Sequence, residues 1–171
     1  MQKNKLFVFP YNDDNDYQNL YVKDLEDTHD VFKIRNEDIF PLIYISKDAF
    51  LIIEWLSPYC ISNNSFVSFL KSCLFISQVI YIKIFKNVTV IQNIHNHSDH
   101  EIRSPIIEYL LKHALARLAN KLRFFSYSSL NSYTKIYGGK SKSNVSYHPI
   151  YKRPEFREEK KHFDLIFFGN I

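Results

Sequence analysis

Glycine is nearly missing from this chain, with three residues in 171 against a usual share of about 7%. No three glycines are spaced to build a G-x-G-x-x-G turn or a P-loop, so phosphate cradles of those two types are excluded. Cysteine is almost as scarce. Cys60 and Cys73 make no C-x-x-C pair, and they read as two buried small hydrophobes in a reducing compartment. No secretory signal is expected, because the short apolar start ends at Pro10 and the acidic Asp13, Asp14 and Asp16. No membrane span is expected either: the longest apolar region, Phe66 to Phe85, is broken by Lys71 and Lys83.

What is present is a core. Hydrophobic residues make up 46% of the chain and aromatics 16%, which excludes disorder. A length of 171 residues suits one domain that needs no disulfide or structural metal. Net charge is +4, but it is unevenly spread. Residues 1–30 hold seven acids and three lysines, whereas basic residues dominate from Lys112 onward. That asymmetry suits an anionic partner such as a phosphate ester or a lipid surface.

Along the chain, strands and helices alternate. Lys5–Phe9 reads as a buried strand, and Tyr17, Leu20, Tyr21 and Leu25 recur at helical spacing. Val31–Ile34 is a second strand. Ala49–Leu56 is a continuous apolar run with a polar-aromatic tip, as a parallel strand buried on both faces would be. Phe66–Ile82 reads as a mostly buried helix, and Val88–Ile94 as the next central strand. Ser104-Pro105 opens a helix with a capping-type residue and proline at the first helical position. A strand at 123–128, a helix at 130–137 stopped by Gly138-Gly139, and a strand at 145–151 follow. The order predicts an α/β fold, a Rossmann-like parallel sheet with helices on both faces. In such sheets the ligand crevice lies beyond the carboxyl ends of the strands. The polar groups expected there are Tyr11 to Tyr17, Trp55, His95 to Glu101, Ser126 to Ser128 and His148.

The densest of these groups is the stretch after the Val88–Ile94 strand, which can be spelled in two ways. His95-Asn96-His97-Ser98-Asp99-His100 is H-x-H-x-D-H, a set of imidazole and carboxylate ligands suited to zinc. This spelling resembles the metallo-β-lactamase superfamily. That resemblance implies a zinc hydrolase on an αββα sandwich, with His148, His162 and Asp164 as the later ligands available. The same letters, His95-Asn96 followed by His100-Glu101, are also H-N-x-x-x-H-E.

The second spelling fits a longer pattern. Phe9-Pro10-Tyr11 through Tyr17, a strand ending in Trp55, the H-N-x-x-x-H-E loop, Phe125-Ser126-Tyr127-Ser128, His148-Pro149 and Phe167-Phe168-Gly169-Asn170-Ile171 occur in that order. The chain resembles the N-terminal, acceptor-side half of bacterial GT-B glycosyltransferases that assemble polysaccharides. The implied organisation is a Rossmann-like acceptor-side domain at 1–152, a charged linker at 153–162 and the first strand of a second domain at 163–171, with the rest of that donor domain absent.

The resemblance implies transfer of a sugar from a nucleotide-sugar donor to a polysaccharide or lipid-linked acceptor, without a metal or resident cofactor. It places His95, Asp99 and Glu101 as the catalytic candidates, the two acids as alternative bases. Tyr11, Tyr17, Trp55, Asn96, His100, Ser126 and His148 are the substrate-binding candidates. The implied partners are the two substrates and a separate C-terminal domain or subunit, with no nucleic acid. A cytoplasmic location follows, peripheral on the inner face of the membrane. A third reading makes the chain a non-catalytic half-domain or membrane-docking subunit, with Lys112, Arg117, Lys121 and Arg123 meeting anionic lipid.

Overall fold

The computed structural model describes residues 3–37, 39–56, 59, 64–95 and 104–146. The linker at 153–162, the strand at 163–171, most of that at 145–151, the zinc candidates His162 and Asp164, and Cys60 lie outside them.

β1 (Asn4–Phe9) leads into α1 (Asp16–Glu26), which starts where the Asn15 side chain accepts from the Gln18 N–H at 3.0 Å. β2 (His29–Lys33) and β3 (Phe50–Ile53) follow. The long helix α2 (Ser65–Lys86) is capped by Asn64, whose side chain accepts from Phe66 N–H at 2.9 Å. Then come β4 (Thr89–Ile94), α3 (Pro105–Leu118), β5 (Lys121–Phe124), α4 (Tyr127–Tyr137), a 3₁₀ turn at Lys140–Lys142 and β6 (Ser143–Val145).

All six strands are parallel, in the order β2-β1-β3-β4-β5-β6. The chain therefore runs outward from β1 to β2, then returns to β1's other side and continues through β3. The order reverses between β1 and β3, and their carboxyl ends form the switch point where such sheets bind ligands. Alternate residues face opposite layers. Leu6 and Ile52 pack with Tyr17 and Tyr21 of α1, while Phe7, Phe9, Leu51, Ile53, Val90 and Leu122 join the larger core with Phe75, Leu111, Leu115 and Tyr133. Helices thus cover both faces, as expected of the α/β class. Among the described residues the sheet is single and parallel, not the αββα sandwich that the zinc reading implies.

With glycine scarce, Asp48 (φ 57°) and Asn87 (φ 52°) take left-handed positions beside Gly138 and Gly139. Asn87 ends α2 with its backbone N–H on the Ile82 carbonyl, and its side chain donates to Asp48 Oδ1 at 2.7 Å. Asn87→Ala adds left-handed strain and removes that bond, so it is expected to cost about 1–2 kcal/mol in urea denaturation.

Several expectations need correction. α2 is buried on one side only: Phe66 is 66% exposed and Ile84 69%, because no described layer covers its outer side. Cys73, on that helix, is exposed rather than buried. The strand expected at 123–128 ends at Phe124, because Ser126 caps α4 and the helix begins at Tyr127. Ser104 makes no side-chain cap bond; its hydroxyl meets that of Ser65 at 3.0 Å and joins the starts of α2 and α3. Lys112 is buried against Glu108, and Arg123 is held over the Tyr21 ring at 4.8 Å. Packing withdraws both from the basic surface expected of them.

Candidate functional site

The β3 sequence Phe50-Leu51-Ile52-Ile53 is apolar because both its faces are covered, and the next residue is an acid. Glu54 is held in line by its backbone N–H, which donates to the Phe9 carbonyl at 2.8 Å. The residue is 3% exposed. A buried carboxylate needs partners, and β4 supplies them from the neighbouring strand. Asn93 Nδ2 donates to Glu54 Oε1 at 2.8 Å. His95 Nε2 lies 2.7 Å from Oε2; with a carboxylate as acceptor, Nε2 carries the proton. One acid thereby fixes an amide and an imidazole at the carboxyl ends of the two central strands.

Aromatic rings clamp the imidazole. Trp55 stacks on one side at 4.6 Å between centroids with an 18° tilt, and Phe125 on the other at 4.8 Å with 26°. Tyr17 of α1 meets its edge at 5.1 Å and 86°. The ring stack and the hydrogen bond together fix both the plane and the rotation of His95.

Charged groups lie around this stack. Arg123 places its guanidinium over Tyr21 at 4.8 Å and Phe125 at 5.4 Å, and donates to Ser146 Oγ at 2.9 Å. Burial raises the Tyr21 phenol above its ordinary pKa; the Arg123 cation opposes that shift and the Glu54 charge adds to it. On the opposite layer, Lys112 and Glu108 form an ion pair one helical turn apart, at 4% and 5% exposure. Tyr133 donates to the Lys112 carbonyl at 3.3 Å, and burial, with Tyr137 beside it, pushes its phenol up. A cavity of about 30 Å³ lies among Glu54, Asn93, His95, Gln92, Lys112 and Tyr133, enough for a water molecule or two.

Of the expected site residues, the structure brings His95, Trp55 and Tyr17 together. Tyr11 lies outside this cluster. Its ring is buried beneath Lys33 Nζ at 4.8 Å and its hydroxyl donates to Asn19 Oδ1. Ser126 serves the fold, its hydroxyl accepting from Ser129 N–H at 3.1 Å to start α4. Ser126→Ala is expected to lower stability by about 1 kcal/mol in thermal unfolding. Asn96, Asp99, His100, Glu101 and His148 lie outside the described residues. Sequence reasoning missed Glu54, Asn93, Tyr21 and Arg123 as members of the cluster. For the first two a signal existed: polar side chains at the ends of otherwise apolar central strands. For Tyr21 and Arg123 none did, since their meeting depends on the Arg123 side chain reaching from β5 to the Tyr21 ring of α1. No family model, curated protein or solved structure matches this chain.

Proposed function

We propose that this chain is the acceptor-side domain of a GT-B glycosyltransferase, moving a sugar from a nucleotide-sugar to a polysaccharide or lipid-linked acceptor. The observation that carries the proposal is the carboxylate-held, ring-clamped imidazole of His95, beyond the carboxyl ends of the central parallel strands and next to the switch point. Acceptor-side chemistry needs a group that positions a sugar hydroxyl and takes its proton as the bond to the anomeric carbon forms. Glu54 holds Nε2 and so fixes the tautomer and orientation in which the imidazole would meet the acceptor. On this reading His95 is the base and Glu54 its positioning residue. Trp55, beside the imidazole, offers an apolar ring face of the kind on which sugars stack. Contacts to the donor diphosphate belong to a second Rossmann-like domain.

The test is acceptor-dependent release of nucleoside diphosphate by the full chain, with a panel of nucleotide-sugars and lipid-linked or polysaccharide acceptors, both alone and with a donor domain supplied. Release that requires both substrates is expected. No release with any donor, together with no saturable acceptor binding, overturns the assignment.

A further inference from the structure

Helix α2 is built inside out. Its sheet-facing side buries Ser68, Ser72 and Gln78 among Phe75, Val79 and Ile82. Two of those polar groups serve neighbouring loops: Ser72 Oγ donates to the Tyr59 carbonyl at 3.2 Å, and Gln78 Oε1 accepts from Leu42 N–H at 3.1 Å. Its outer side carries Phe66, Leu70, Leu74, Ile80, Ile84 and Phe85, all exposed. An ordinary surface helix shows the reverse pattern. α2 is also long and apolar enough, by length and composition, to cross a membrane, yet it is fixed to the sheet along its other side. The apolar surface continues onto Ile39 and Tyr44 in one direction and onto Ile106 and Leu110 of α3 in the other. It is thus much wider than a scattered exposed leucine, and surfaces of this kind mark partner or membrane contact.

We propose that this face lies on an anionic lipid surface, with α2 flat in the interface. Charge selects the occupant. Neither α2 nor residues 39–47 contain a single Asp or Glu, and the one acid of α3, Glu108, is buried against Lys112. Lys47, Lys71, Lys83 and Lys86 are the charges on α2 and residues 39–47. On α2, Lys71 and Lys83 fall on opposite sides of the apolar arc and not within it, whereas Lys86 lies on the sheet side and donates to the Ile43 and Ile45 carbonyls. An apolar arc bordered by cations with no carboxylate complements acyl chains below and anionic headgroups beside them. A second copy of the chain would set lysine rims against each other with no acid on α2 or at residues 39–47 to pair them. The surface is distinct from the set of Lys112, Arg117, Lys121 and Arg123 read from the sequence, and it rests on none of the transferase reading.

The test is co-sedimentation of the full chain with vesicles of phosphatidylcholine alone and of phosphatidylcholine with phosphatidylglycerol, at low and high salt. Binding to the anionic vesicles that weakens with salt is expected. Leu70→Gln/Ile84→Gln/Phe85→Gln, all at exposed positions, is expected to lower partitioning by about tenfold or more with unchanged circular dichroism. Lys47→Glu/Lys71→Glu removes attraction of about fivefold per lysine on anionic vesicles only. Wild-type protein that stays in the supernatant overturns the proposal, as does a triple variant that binds as well as wild type. A dimer by light scattering that the triple variant dissolves, without lipid binding, also overturns it and assigns the face to a second copy.

Discussion

Glu54→Gln is expected to fold normally and to lose most of its turnover. The substitution keeps the shape of a side chain that is 3% exposed and changes one oxygen into an NH₂ group. The remaining oxygen still accepts from Asn93 Nδ2. The new amide nitrogen then faces His95 Nε2, a position now held by a donor at 2.7 Å from the carboxylate. Two donors cannot share that contact, so the tautomer and orientation that the carboxylate imposes on the imidazole are lost. Loss of positioned base catalysis is expected to lower kcat by about 10²–10⁴-fold, with KM for the acceptor little changed, while stability falls by only about 1–2 kcal/mol. His95→Ala removes the base itself and is expected to abolish transfer. Glu54→Ala instead strands both donors in the interior and costs about 3–5 kcal/mol, a fall of roughly 10 °C in Tm. Turnover and thermal melting measured on the same preparations separate the roles. A Glu54→Gln protein with undiminished kcat would leave Glu54 as a fold element alone.

The same pair of strands shows what could be read before folding. The continuous apolar run of β3 identified a strand covered on both faces, and Val88–Ile94 reads as the next central strand, so the parallel sheet and its carboxyl-end crevice were legible. Pattern counts residues by type, however, and an acid ending an apolar run looks the same whether it reaches solvent or a neighbouring strand. Glu54 and Asn93 sit on adjacent strands and meet 39 positions apart in the chain; that register is set by the sheet as a whole. Trp55 was legible as a feature, but its partner was not, because stacking on His95 depends on the register that pairs Ile53 of β3 with Gln92 of β4.

Helix α2 failed for the opposite reason. Its apolar run was correctly identified as helical, and burial was inferred from hydrophobicity. Hydrophobicity alone does not say which solvent a face meets. The informative residues were Ser68, Ser72 and Gln78, whose spacings of four and six positions place polar groups on one side. In the structure that side is the buried one. Read with the polar stripe as the outer face, the helix comes out turned around; its real orientation follows from the loop groups that those side chains satisfy.

Lys112→Met tests the other charge that sequence placed outside. Its removal leaves Glu108 at 5% exposure without its cation, and breaking one partner of a buried pair costs about 3–5 kcal/mol. The denaturation midpoint is therefore expected to fall sharply. Glu108→Leu/Lys112→Met removes both charges and the desolvation penalty with them, and it is expected to return to within about 1–2 kcal/mol of wild type or to exceed it. The cycle thus yields a large coupling energy although the pair adds little net stability. Additive losses in the double variant would show instead that each side chain is held by separate partners. Because Lys112 lines the same cavity as Glu54 and His95, the double variant also answers why a charge pair is kept where apolar residues would serve. Restored stability with lost turnover would tie the cation to the chemistry at the strand ends. Restored stability with full turnover would confine it to fixing how α3 seats on the sheet.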